Sequence, residues 1–155
     1  MLWQVVAAVV LALWFGGGVV AGFVAPQSVF AILSDRQTAG SLAGLILSRY
    51  AVLVTLCAGL YIAAWFSTRL TSRPWPKRRL MVVVVALAVV VVSHWFLTPQ
   101  IALLRAQMAA PGAPADLASR FDALHRLSVA LFGIQWLLSG VALVMHTSSG
   151  AARRS

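Results

Sequence analysis

Long apolar blocks separated by short polar stretches dominate the sequence. Four of these blocks are long enough to cross a bilayer, because a transmembrane helix needs roughly 20 predominantly apolar residues. The blocks cover about residues 2–25, 40–66, 80–97 and 124–145. The pattern predicts an all-α, polytopic membrane protein, a bundle of four transmembrane helices that forms a single domain over residues 1–155.

Pro26 predicts a change of direction at the end of the first block. Proline lacks a backbone N–H and disfavours helix at the residue before it, so we expect the first span to end or kink there. The apolar segment 27–33 is too short to span again, and we expect a turn or short helix at the membrane interface. A signal peptide is the competing interpretation of this block. We do not favour it, because no Lys or Arg precedes Arg36 to form a basic n-region.

Small residues recur at helical spacing in the first two blocks. Gly18 and Gly22 are four residues apart, and so are Gly40 and Gly44. Such pairs allow the backbones of two membrane helices to approach closely. We therefore expect the first and second spans to pack backbone to backbone through them.

Composition supports a membrane location, since 61% of the residues are hydrophobic and only 10% are charged. These fractions exclude a water-soluble enzyme, a disordered chain and a small secreted module. Twelve Lys and Arg against three acidic residues give a net charge of +9, but the basic residues lie mainly at the ends of apolar blocks. They therefore indicate membrane topology, and we expect no nucleic-acid partner.

The distribution of basic residues predicts the orientation. Five of them fall between Arg69 and Arg79, in a short connection interrupted by prolines. By the positive-inside rule this loop is cytoplasmic. An even number of spans places both termini on the same side, together with Arg153 and Arg154. The connection 106–123 is then a loop on the outer side.

Polar side chains collect in the outer halves of the second, third and fourth spans. An ionisable group inside a membrane costs roughly 2.5 to 3.5 kcal/mol on insertion scales, so its presence indicates a role. We predict an outward-facing, net-basic cavity that binds, or helps to transport, a small anionic or lipid-like ligand. The candidate ligand-binding residues are Arg49, Tyr50, His94, Thr98, Arg105, Asp122, His125, Arg126, Ser128 and Gln135.

Helical spacing groups several of these residues on single faces. His125, Ser128, Phe132, Gln135 and Ser139 form one stripe on the fourth span, and we expect that stripe to face protein. In the third span a proline follows Thr98 and removes a backbone hydrogen bond, which predicts a kink beside His94.

Two of the candidates have alternative interpretations. Arg49 either binds an anion or extends its guanidinium toward the membrane surface or a nearby carbonyl. His94 and His125 are either packed neutral imidazoles or the axial ligands of a haem, which would make the chain a redox or metal-binding membrane protein. A third interpretation is a structural subunit of a membrane complex, in which the polar layer only fixes helix packing.

Enzyme signatures are absent from the sequence. It contains no glycine-rich phosphate loop, no H-E-x-x-H and no G-x-S-x-G, and its three acidic residues lie at or beyond the outer edge of the spans. The methionines and Cys57 do not cluster, which disfavours a Cu(I) site. We therefore lean against an enzyme, predict no metal site and no resident cofactor, and keep haem as the alternative.

A set of residues spread over nearly the whole chain carries a family resemblance. The set is Phe23, Pro26, Phe30, Ser48-Arg49-Tyr50, Thr98-Pro99-Gln100-Ile101, Leu104-Arg105, Phe121 and Leu124-His125-Arg126-Leu127-Ser128. It resembles the bacterial domain-of-unknown-function family that is related to eukaryotic transmembrane protein 205. The resemblance implies a four-helix protein of the bacterial inner membrane without an established activity, so it supplies a fold and no catalytic residues.

A shorter likeness lies in the first span. Trp14-Phe15-Gly16-Gly17 followed by Ala25-Pro26 is similar to the copper-resistance D membrane proteins. The chain lacks the clustered soft ligands that a direct metal carrier needs. We expect its partners to be membrane lipid and, because four spans form a narrow bundle, further copies of the chain or other subunits of a membrane complex.

Overall fold

The computed structural model describes residues 2–70, 75–112, 114 and 116–151. Arg73, Arg153 and Arg154, which the sequence assigns to the inner side, lie outside these residues. The described chain forms four long helices and contains no strand. The helices are Leu2–Ile32, Arg36–Arg69, Lys77–Met108 and Asp116–Ala151.

Each helix is long and apolar enough to cross a membrane. Large apolar side chains lie on the outside of the bundle as well as inside it: Leu13 and Leu137 are 51% and 60% exposed, whereas Trp14 and Val83 are fully buried. Exposed apolar surface on all helices is favourable in lipid and unfavourable in water. The predicted fold, an all-α membrane protein with four helices, is confirmed.

The first helix occupies a central position in the bundle. It packs against both the second and the fourth helix, while the third helix packs mainly on the fourth and also on the second. The buried core runs along these contacts through Leu11, Trp14, Val54, Tyr61 and Val83. The first helix therefore sets how the second and fourth helices are placed.

Pro26 and Pro99 each follow a short π-helical segment. The first helix is α-helical over Leu2–Val19, π-helical over Val20–Val24 and α-helical again over Ala25–Ile32. Here the N–H of Ala25 bonds the carbonyl of Val20, five residues back, so the register shifts immediately before Pro26. Of the two predicted alternatives at Pro26, an end of the span is wrong, because the helix changes register there and the expected interfacial segment continues it to Ile32.

The third helix repeats this arrangement before Pro99. It is α-helical over Lys77–Val91, π-helical over Val92–Leu97 and α-helical over Thr98–Met108. The carbonyl of Ser93 accepts bonds from both the N–H and the hydroxyl of Thr98. The predicted kink site is thus a π turn in which a side chain supplies an additional hydrogen bond.

Asp35 separates the first two helices. Its carboxylate accepts hydrogen bonds from the backbone N–H groups of Gln37 and Thr38 and from the Thr38 hydroxyl, which caps the second helix. These bonds hold the pKa of Asp35 below its usual value. Because the folded-state pKa is the lower one, the cap stabilises the helix above the unfolded-state pKa, and this stabilisation is lost as the pH falls through the folded value.

The outer connection between the third and fourth helices is shorter than predicted. The third helix runs to Met108 and the fourth begins at Asp116, so both ends of the predicted loop 106–123 are helical. Gly112 has a φ of +76°, a backbone conformation that glycine adopts without strain. The two helices therefore approach each other closely at this end.

The paired glycines contact side chains, which corrects the expected backbone-to-backbone packing. A Cβ on Gly18 would lie 2.7 Å from Trp136 and 2.8 Å from the Tyr50 hydroxyl, and one on Gly22 would overlap the Phe132 ring. Gly40, in the second helix, faces the guanidinium of Arg105. The glycines make room for large side chains of neighbouring helices.

This packing predicts that Gly22→Ala destabilises the bundle. The added methyl group overlaps Phe132, whose ring packs against Tyr50, so we expect a loss of about 1–3 kcal/mol in the free energy of unfolding. Gly16→Ala is the matched control, because no atom lies within 4 Å of a Cβ there. Denaturation by SDS in mixed micelles measures both variants. Equal midpoints for Gly22→Ala and the wild type would contradict the proposed packing.

Candidate functional site

Three buried side chains form a hydrogen-bonded network in the middle of the bundle. The indole Nε1 of Trp14 donates to Oε1 of Gln135 at 2.7 Å, and the Tyr50 hydroxyl donates to the backbone carbonyl of Trp14 at 2.6 Å. The Gln135 amide also interacts with the Tyr50 hydroxyl. The network connects the first, second and fourth helices and includes two of the predicted site residues, Tyr50 and Gln135.

Trp136 makes a second connection between the first and fourth helices. Its Nε1 donates to the carbonyl of Phe15 at 3.1 Å, and its ring stacks on the Phe15 ring with centroids 5.1 Å apart. Trp14 and Trp136 are not among the predicted site residues, and these bonds were not predicted. The depth of both indoles within apolar spans was the available signal, since a buried indole N–H usually has an acceptor.

Arg105 lies among three helices at the end of the bundle where the third helix ends and the fourth begins. Its guanidinium is placed against Gly40 of the second helix and lies 5.6 Å from the centroid of Phe121 on the fourth. The Phe121 ring stacks in parallel with His125, with centroids 5.7 Å apart. Arg105 and His125, both predicted site residues, therefore share one aromatic neighbour.

A groove of about 510 Å³ lies beside this cluster, between the C-terminal part of the third helix and the N-terminal part of the fourth. Its lining combines leucine side chains with amide groups and one arginine. The lining residues are Gln100, Leu103, Leu104, Gln107, Arg120, Ala123 and Leu124. None of the ten predicted site residues lines the groove, although Arg105 is adjacent to Leu104 in the chain.

The remaining predicted residues are less connected. Arg49, Asp122 and Arg126 are exposed and Ser128 is partly buried. Within the described residues none of these four makes a hydrogen bond or an ion pair. The structure therefore brings together Tyr50 with Gln135, and Arg105 with His125, but not all ten residues.

The stripe on the fourth helix faces protein along only part of its length. Gln135 and Ser139 are buried, Ser128 and Phe132 are partly buried, and His125 is exposed. The expectation that the whole stripe faces protein is wrong at its outer end. There the fourth helix packs against the end of the third helix, and His125 is on the surface.

His94 and His125 have separate aromatic neighbours. The His94 ring meets Trp95 edge to face at 5.5 Å, whereas His125 stacks on Phe121. Among the described residues there is no group of three His, Cys, Asp or Glu side chains that could hold a metal ion. The haem hypothesis therefore gains no support from the side-chain arrangement.

Sequence reasoning missed a polar cluster at the end of the bundle next to the basic loop. Tyr61, Trp65, Arg79 and His146 are all buried there, whereas the predicted site residues lie toward the other end of the spans. His146 donates from Nε2 to the carbonyl of Gln4 at 3.1 Å. The sequence analysis counted Arg79 among the basic residues that determine membrane topology. The four-residue spacing of Tyr61 and Trp65 was the one sequence signal that the two side chains share a helix face.

These features define a polytopic integral membrane protein whose helices are connected by buried side-chain hydrogen bonds. A family model described as Domain of unknown function (DUF4149) matches residues 9–110, about two thirds of the chain, and the chain belongs to this family. No curated protein and no solved structure matches it. The expected membership of an uncharacterised membrane family is confirmed, while the links to transmembrane protein 205 and to copper-resistance D stay predictions.

The central network predicts coupling between Trp14 and Gln135. Gln135→Leu leaves the buried indole N–H without an acceptor, so we expect a loss of about 1–2 kcal/mol in the free energy of unfolding. Trp14→Phe should lower the free energy of unfolding by less on the Gln135→Leu background than it does in the wild type. A double-mutant cycle in SDS denaturation measures this coupling, with Ser128→Ala as the control. Strict additivity would contradict the network.

Proposed function

We propose that this protein binds an anionic amphiphile at the groove between the outer ends of its third and fourth helices. The observation that carries the proposal is the lining of the groove, in which Leu103, Leu104 and Leu124 form an apolar wall and Arg120 supplies a positive charge. An acyl chain fits the leucine wall, and an anionic headgroup fits the guanidinium.

The charges around the groove support an anionic ligand. Arg120 is the one charged side chain in the lining, whose described residues include no carboxylate. Gln100 and Gln107 add amide donors and acceptors on the third helix. The Arg105 guanidinium, held against Phe121, contributes a second positive charge from the neighbouring cluster. A headgroup carrying a phosphate or carboxylate complements this arrangement.

The predicted site residues take different roles in this proposal. Arg105 and His125 form the aromatic and basic edge near the groove, while Arg49, Asp122 and Arg126 are exposed on the surface of the bundle. Tyr50 and Gln135 hold the helices in register, and Thr98 stabilises the π turn beside His94. Binding therefore depends on fewer residues than the sequence suggested.

The proposal includes a location and an orientation. We place the protein in the bacterial inner membrane with both termini in the cytoplasm, so that the groove is at the outer surface and the loop after Arg69 is inside. Membrane lipid is then the main partner. A role as an accessory to transport agrees with this placement, since four helices form a narrow bundle.

The groove predicts a charge-dependent affinity. Arg120→Gln should weaken the binding of fluorescent lysophosphatidic acid by about tenfold, the loss of one charge-assisted hydrogen bond. Arg36→Gln is the matched control, because Arg36 is an exposed arginine at the same end of the bundle but outside the groove. Titration of the protein in neutral detergent gives both affinities. Equal effects of the two substitutions would argue for nonspecific attraction.

The orientation predicts different labelling of two exposed positions. On a Cys57→Ser background, Ala110→Cys should react with a membrane-impermeant maleimide in intact cells. Leu70→Cys, at the basic end, should react only after the membrane is made permeable, because Leu70 is 91% exposed but on the cytoplasmic side. The opposite pattern would invert the topology and place the groove inside.

A further inference from the structure

We infer that the buried cluster at the inner end of the bundle binds a phosphate-bearing group. The cluster consists of Tyr61 and Trp65 on the second helix, Trp75 and Arg79 at the start of the third, and His146 on the fourth. It lies at the opposite end from the groove and is independent of the function proposed there.

Three polar atoms of this cluster lack a hydrogen-bond partner within the described chain although they are buried. They are the Tyr61 hydroxyl, the Trp65 Nε1 and the His146 Nδ1, and their side chains are 0%, 6% and 8% exposed. A buried polar atom without a hydrogen-bond partner destabilises the folded state, because its bonds to water are lost and not replaced. Three such atoms on packed side chains indicate that a bound group completes their hydrogen bonds.

The side chains are close enough to share one ligand. The ring centroids of Tyr61 and Trp75 are 5.8 Å apart, those of Trp75 and His146 are 4.9 Å apart, and those of Tyr61 and His146 are 6.1 Å apart. The positive charge of Arg79 acts on both Tyr61 and His146. Trp65 lies one helical turn beyond Tyr61 on the same helix.

The donors determine the chemistry of the ligand. A phenol O–H, an indole N–H and a guanidinium all donate, which calls for several acceptor oxygens on one group. His146 already uses its Nε2–H to bond the Gln4 carbonyl. Its Nδ1 therefore accepts from a P–OH group or, in the imidazolium form, donates to a phosphate oxygen.

The distribution of charged residues at this end of the bundle favours an anionic ligand. Arg79 belongs to the cluster, and Arg69, Lys77 and Arg78 are near it in the chain, whereas the three acidic side chains of the sequence, Asp35, Asp116 and Asp122, all belong to the other end of the bundle. The Arg69 guanidinium is itself held 4.3 Å above the Trp65 ring. Basic side chains therefore outnumber Asp and Glu at this end, which favours a phosphate.

The aromatic walls favour a lipid headgroup as the source of the phosphate. Tryptophans with a polar edge lie at the level where headgroups meet the acyl chains, and Trp65 and Trp75 come from the ends of two spans beside the basic loop. A free phosphomonoester from the cytoplasm has the same oxygen chemistry. Binding measurements separate the two sources.

Binding to the purified Arg120→Gln protein, in which the proposed groove site is weakened, tests this inference. Dioleoyl phosphatidate should bind saturably in native mass spectrometry, and dioleoylglycerol, which has the same chains and no phosphate, should bind at least tenfold more weakly. Displacement of phosphatidate by inorganic phosphate would identify a site for free phosphate, whereas retention would identify the lipid. Equal binding of dioleoylglycerol and phosphatidate would overturn the inference.

Tyr61→Phe separates a ligand contact from a structural role. It removes only the hydroxyl, which has no protein partner, so the delipidated variant should melt at or above the temperature of the wild type. The affinity for phosphatidate should fall about tenfold. The comparison is made on an Arg120→Gln background, so that the groove, which is itself proposed to bind anionic amphiphiles, does not contribute to the measured affinity. A lower melting temperature for Tyr61→Phe with unaltered binding would overturn the inference and assign the hydroxyl to the fold.

Discussion

The bundle depends on backbone carbonyls of the first helix that accept hydrogen bonds from side chains of its neighbours. Tyr50 bonds the Trp14 carbonyl, Trp136 bonds the Phe15 carbonyl and His146 bonds the Gln4 carbonyl. In lipid, apolar surface alone does not specify which helix faces which, because acyl chains are as apolar as leucine. These bonds, and the glycines that admit the aromatic rings, fix the rotation and register of the helices.

The two ends of the bundle present different chemistry at the two surfaces of a membrane. The groove is open and partly apolar, with Arg120 at its edge, whereas the inner cluster is buried and rich in donors. Arg79 and Gln100 lie on the same helix about 30 Å apart at 1.5 Å per residue, which matches the hydrocarbon thickness of a bilayer. One lipid headgroup cannot reach both, so the two proposed sites are on opposite sides of a bilayer.

The sequence predicted the class of fold and part of the site. The fold class and the site depend on different physical properties of the residues. Hydropathy reports length and apolarity, which is sufficient for counting spans. It does not report which face is buried when both lipid and protein are apolar, and so the exposure of His125 was not foreseen. Tyr50 and Gln135 were found because they are polar at depth. Trp14 was missed because an indole counts as apolar, and Arg79 because its neighbours in sequence are solvent-facing charges.

The family match ends before the fourth helix, although the first three helices depend on that helix for their packing. Residues 9–110 contain the first three helices almost completely, but the fourth helix lies beyond the matched segment. That helix supplies Gln135 to the Trp14 indole and His146 to the inner cluster. Without it, the Trp14 N–H would face hydrocarbon with no acceptor, which is costly in lipid. In this chain the three matched helices therefore require the fourth for a satisfied interior, and both proposed binding sites include residues from it.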